Sequence, residues 1–282
     1  MIDLPLAIKQ AIRTDKPIEM DGYTFYPILG EEIDDLEYVR PAIEFMQQNF
    51  PVKYAAMPLL SAFFAYDYDR MREHMPPTGL FARAIYFLAL CLRLGCGRGR
   101  EARTDCFRVA VDMHDPSRLK SVQADMGEEI LNITPVMFSR WRAVLAAQNA
   151  LEIPDESKNI ELLEAKHDIL SSKDIALKRD IDDLISAVAL VSQCDEAEVM
   201  KWSVRKFYQR KRSVERLLNF VICGIGEAQG TKWKGGNPCP SWCYERERDN
   251  PALVPMSSFM QGAGAAAVER TGGAPVIPSP AD

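Results

Sequence analysis

The chain is expected to be α+β: predominantly α-helical, with a small antiparallel β-sheet and a disordered C-terminal tail. Three observations lead there. Apolar residues recur at helical spacing along most of the sequence. Strand-like alternation is confined to two stretches, near residues 18–26 and 106–133. From Met256 to Asp282 the composition collapses to Gly, Ala, Pro and Ser with few large apolar residues, which cannot offset the entropy of ordering a chain. The organisation read from these shifts is an N-terminal α+β region over 1–150, a helical region over 151–254 ending in a Gly/Pro/aromatic loop, and the tail over 255–282.

Each element has its own signal. Ile18-Glu19-Met20 and Tyr23-Thr24-Phe25 flank Asp21-Gly22, a pair suited to a turn that needs φ > 0 at both positions. The acidic run from Glu31 to Glu37 suits the positive end of a helix that continues through Ala42, Ile43, Phe45 and Met46. Thr78 is placed to cap a helix carrying Phe81, Ile85, Leu88 and Leu92 and ending at Gly95, the expected centre of the core. Cys106–Val111, Leu119–Val122 and Ile130–Ile133 read as strands. Thr134-Pro135 then sets an N-cap before a proline at the first helical position, opening a helix with Phe138, Trp141 and Leu145. From Asp155 to about Gly226 helical spacing returns. Asp195 and Glu198 resemble a capping box, and Ser203 caps a last helix carrying Val204, Phe207, Val214, Leu218, Val221, Ile222 and Ile225.

Composition narrows the function classes. The 282 residues carry 40 acidic and 34 basic side chains, a net charge of −6, so there is no bulk attraction to nucleic acid or anionic lipid. The most apolar stretch, Leu80–Leu94, is interrupted by Arg83 and Arg93 and is too short to span a bilayer. The start at Met1 lacks the basic and apolar regions of a secretory signal, so a cytoplasmic protein is expected. An odd count of seven cysteines then reads as free thiols, not a disulfide framework.

No motif carries chemistry well. Cys239-Pro240-Ser241-Trp242-Cys243 pairs two thiols, but a structural zinc site needs four ligands, and His74, His114 and His167 are scattered. The glycines at 224, 226 and 230 miss the dinucleotide spacing and follow a helix, as do those at 95, 97 and 99; both sets read as left-handed helix ends. The acidic pairs Glu31-Glu32, Asp34-Asp35 and Asp182-Asp183 read as solvated helix starts. No nucleophile elbow is present. Catalytic residues, cofactors and metals are therefore not expected. A basic face from Arg205 to Arg216 offers a nucleic-acid alternative.

The least ordinary stretch is the loop with Trp233, Lys234, Trp242 and Tyr244 among glycines and prolines. Large rings in such a loop either fold back onto the body or anchor a partner. With Phe207 and Val214 of the preceding helix, these four make the candidate partner-binding set.

The run from Asp195 through Trp202 and Ser203 to Phe207-Tyr208 resembles a segment of tail-assembly proteins of long-tailed phages and prophages. Ile222–Gly230, continuing to Gly235-Gly236-Asn237-Pro238, is similar to the end of proteins from Gram-positive prophage tail regions. The resemblance covers mainly residues 180–250. It implies a tail-assembly chaperone in the cytoplasm of a bacterial host, with a long helical tape-measure protein and tail-tube subunits as partners and no catalytic residues. A structural component of the tail or head-tail junction is the alternative, and self-association is compatible with either.

One consequence is testable without a partner. With a single Cys-x-x-x-Cys pair and no second ligand pair, the purified chain should hold no stoichiometric zinc by elemental analysis and should keep its melting temperature in chelator. Zinc at one per chain, lost together with the fold, would contradict the reading.

Overall fold

Asp21 and Gly22 take φ of 54° and 84°, the left-handed pair that a tight hairpin demands, and so join β1 (Ile18–Met20) to β2 (Tyr23–Phe25) in antiparallel register with Ile18 opposite Phe25. The computed structural model describes residues 4–95, 100–127, 129–153, 180–233 and 237–243. Before the hairpin lies α1 (Leu6–Arg13), whose Ile12 joins Ile18 and Val144 in a small satellite cluster. The chain is α+β: helices predominate, beside this hairpin and one three-stranded antiparallel sheet.

After a single 3-10 turn at Gly30–Glu32, the acidic run itself begins α2 (Ile33–Ile43), so Phe45 and Met46 lie past the helix and not on it. The short α3 (Val52–Ala55) and the longer α4 (Leu59–Arg72) each follow a proline, which presets the first turn and needs no amide partner there. Gly79, with φ 74°, rather than Thr78, occupies the N-cap of α5 (Leu80–Cys91). Thr78 still helps, its hydroxyl accepting from the Leu80 amide at 3.3 Å. Ala84 through Cys91 are all buried, making α5 the centre of the core.

α6 (Arg100–Thr104) leads into β3 (Phe107–Val111), β4 (Leu119–Asp125) and β5 (Ile130–Ile133), with β4 central. Leu119, Val122 and Ala124 of β4 and Leu131 and Ile133 of β5 turn inward. Thr134 caps α7 (Pro135–Gln148) as expected, its hydroxyl accepting from the Met137 amide. Trp141 of α7 is wholly buried, edge-on to Phe25 at 5.0 Å, and its indole N–H donates to Asp21 at 2.7 Å. The hairpin turn and the core are thereby tied together, since a buried indole needs an acceptor.

The helices expected between residues 155 and 179 lie outside the described residues, as does the tail over 255–282. Beyond them come α8 (Ile181–Ser192), α9 (Glu196–Val199) and α10 (Val204–Ala228). Asp195 sits at the N-cap of α9 but makes no side-chain capping bond, so the expected capping box does not form. Ser203 does cap α10, accepting from Lys206 N at 3.0 Å while its hydroxyl donates to Asp15 at 2.7 Å. Of the glycines read as helix ends, Gly95 and Gly230 are left-handed, whereas Gly224 and Gly226 lie inside α10.

The main core cluster is continuous across residue 151, running from Phe25 to Leu151 and taking in Ile185, Val188, Val199, Trp202, Val204 and Phe207. A backbone clasp joins the two parts. Gly30 N–H donates to Trp202 O at 2.8 Å, Glu31 N–H to Met200 O at 3.0 Å, and Val204 N–H to Ile28 O at 2.9 Å. Glycine suits position 30, because a Cβ there would stand 3.0 Å from both the α-carbon and the carbonyl oxygen of Met200 and crowd the clasp. We predict that Gly30→Ala destabilises the fold by about 1–3 kcal/mol, read by denaturant unfolding, because neighbouring backbone must give way. A variant as stable as the parent would show the clasp to be looser than drawn.

A candidate protein interface along helix α10

α10 is 25 residues long, about 37 Å at ~1.5 Å per residue. With about 3.6 residues per turn, Val204, Phe207, Val214, Leu218, Val221, Ile222 and Ile225 share one broad stripe. The stripe changes environment halfway. Val204 and Phe207 are buried, Phe207 at 1% exposure, and Tyr208 packs against the same core while its hydroxyl donates to Glu37 of α2 at 3.0 Å. Burial, then the Glu37 carboxylate, push the Tyr208 phenol up to about 12, so it remains a donor at any physiological pH.

Past Tyr208 the stripe runs out into solvent. Leu218 is 56% exposed, Ile222 62% and Ile225 53%, with Leu217, Phe220 and Val221 also exposed; of residues 209–228 only Cys223 is buried. α8 packs on α10 and ends beside Arg210, whose Nε donates to Ser192 Oγ at 3.2 Å, and the last turn of α8 leaves Leu190 and Val191 exposed as well. An exposed row of large aliphatic side chains of this kind is a candidate interaction surface.

Residues 231–233 and 237–243 return along the other side of the helix as a strap. Thr231 N–H donates to Gly226 O at 2.9 Å, and Arg216 donates to the Cys243 carbonyl at 3.4 Å. Gly226 leaves room for Trp233, whose ring edge would stand 3.3 Å from any Cβ there. At helical spacing Gly226, Cys223 and Arg216 lie away from the Leu218–Ile225 row, so the strap leaves that row uncovered.

The six candidate partner residues therefore divide. Phe207 is a correction: it lies in the core and presents no surface to a partner, because the stripe there is packed under Val204 and Tyr208. Val214 is half-buried at the point where the stripe emerges. Trp233 folds back onto α10, half-buried, while Trp242 is 57% exposed at the end of the strap. Lys234 and Tyr244 lie outside the described residues. Sequence reasoning passed over Leu217, which widens the row, and the exposure of Leu218, Val221, Ile222 and Ile225, which helical spacing alone assigns to a core face. The available signal was length: a 25-residue amphipathic helix exceeds what the neighbouring elements can cover.

Basic residues of α10 are largely engaged within the chain. Arg210 meets Ser192, Lys211 pairs with Glu215 at 3.3 Å, Arg212 with Glu152 at 4.0 Å, and Arg216 with Cys243. Among the described residues no three His, Cys, Asp or Glu side chains gather as a metal site, and no helix is long and apolar enough to cross a membrane. No family model matches the chain, and neither the curated proteins nor the solved structures contain a significant match.

Two substitutions on one stripe should behave differently. Phe207→Ala is expected to cost about 3–5 kcal/mol of stability, whereas Ile222→Ala should stay within about 0.5 kcal/mol of the parent. Chemical denaturation of the two variants checks this, and equal losses would mean the outer half of α10 is packed after all.

Proposed function

We propose that this chain works by binding and not by catalysis, as an assembly chaperone that holds a helical segment of a client protein against the open row of α10. The observation that carries this reading is the continuity of one apolar stripe from buried Phe207 to exposed Ile225. A helix anchored at one end and apolar at the other presents a groove-like ridge to an amphipathic helix, with knobs at the i, i+3/i+4 and i+7 positions. The exposed Trp242 lies at the end of the strap and supplies an aromatic anchor of the kind that dominates binding energy.

The resemblance in residues 180–250 makes the client a phage tape-measure protein, and the site of action the cytoplasm of the bacterial host. A tape-measure protein is a long helix with exposed apolar surface, and such a client needs shielding until tube subunits surround it. Aliphatic side chains on a rigid helix grip this kind of surface without demanding one sequence, because apolar contact is non-directional.

Co-expression with a tape-measure-like partner tests the proposal. The parent should co-purify with it, and Ile222→Asp, which puts a charge at the centre of the row, should weaken binding by about 30-fold, the equivalent of losing a hot spot worth ~2 kcal/mol, while keeping the parent's melting temperature. Undiminished co-purification of a folded Ile222→Asp variant would remove the row from the interface. Retention of the chain in purified mature particles would favour the structural-component alternative.

A further inference from the structure

The strap and α10 meet at a pair of thiols. Cys223 is buried on the side of α10 that the strap covers, between the Thr231–Gly226 and Arg216–Cys243 attachments, and Cys239 of the strap is its neighbour there. Cys239 is held in place by an Asx turn, its amide donating to Asn237 Oδ1 at 2.7 Å, and it is only half-buried. Two further attachments bracket the pair: Trp233 against Gly226 on one side and Cys243 O against Arg216 on the other. Cys243, although only four residues further on, is exposed and is tied to α10 by its carbonyl. Cys91 is fully buried in the core and takes no part.

We propose that Cys223 and Cys239 form a reversible modification site, closing to a disulfide that staples the strap to the outer half of α10 when a low-molecular-weight disulfide such as oxidised glutathione is present. The half-buried Cys239 thiol loses its proton and attacks one sulfur of the reagent, whose S–S bond breaks and releases one glutathione thiolate. Cys223, whose thiol pKa is raised by burial and then by the adjacent Cys239, gives up its proton and attacks the Cys239 sulfur of the mixed disulfide. The second glutathione leaves, and the Cys223–Cys239 bond forms. The two protein thiols are oxidised, the reagent is reduced to two thiols, and their protons end on the released glutathione. Helix and strap need to move little, because Cys239 adjoins Cys223 where the strap meets the helix.

The consequence is mechanical. The link closes a covalent loop through the end of α10 on the side away from the open row, so the outer helix is stiffened without losing its exposed face. The proposal does not depend on the client reading, since it is read from the isolated full chain.

The test is to incubate the full chain, dilute, with oxidised glutathione and to map trypsin digests under non-reducing conditions by mass spectrometry. The expected main product joins peptide 217–232, which carries Cys223, to peptide 235–246, which carries Cys239 and Cys243, and thiol reductant reverses it. Cys243→Ser should keep the link and Cys239→Ser should abolish it. A main product that is a stable glutathione adduct, a link between two chains, or a link that survives Cys239→Ser would each overturn the assignment.

Discussion

The structure depends on the backbone clasp between residues 28–31 and 200–204. Three main-chain hydrogen bonds and the side-chain-free Gly30 hold the start of α10 against the N-terminal core. The clasp satisfies main-chain groups that would otherwise be buried without partners, and unpaired buried amides are costly. Further groups reinforce it from both sides: Ser203 bonds to Asp15, and Asn149 accepts from Ile28 N at 2.8 Å. Just beneath it Glu32, itself buried, pairs with Arg103 at 2.8 Å and Arg93 at 3.1 Å. Removing one partner of such a buried group would strand charge in a low-dielectric setting.

Because the clasp fixes where α10 starts, it also fixes which part of its apolar stripe the body can reach. One turn and a half of helix, Val204–Tyr208, carries the buried Val204 and Phe207, and the stripe goes on for seventeen further residues to Ile225. The same side-chain chemistry thus serves as core at one end and as surface at the other. A helix end that carried only propensity would fray. Here the strap supports it from behind through Trp233, Cys239 and the Arg216–Cys243 bond. A supported apolar ridge is a better receptor than a flexible one, since less order has to be created on binding.

Much of the fold was legible because its signals are local. Asp21-Gly22 specifies the hairpin, Thr134-Pro135 the start of α7, Ser203 the start of α10, and alternation the three strands of the sheet. Misreadings arose where a non-local partner decides the outcome. Asp195 fails to cap because its side chain makes no bond to the first turn of α9, and Gly224 continues the helix although it looks like an end. Exposure is the extreme case. Phe207 and Ile225 have the same place in the helical period, and only the reach of the body separates core from surface. Trp233 and Trp242 show the same limit: one loop, two aromatics, one folded back and one outward.

α10 is a single helix with a packed inner end and an apolar outer row that the other described residues leave open. Amide hydrogen exchange on the isolated full chain tests this most directly. Strong protection is expected over 204–211, held by the clasp and core, and clearly weaker protection over 214–228, where among the described residues the strap supports the helix. Uniform protection along the whole of α10 would contradict it, because it would mean that the row from Leu218 to Ile225 is already covered.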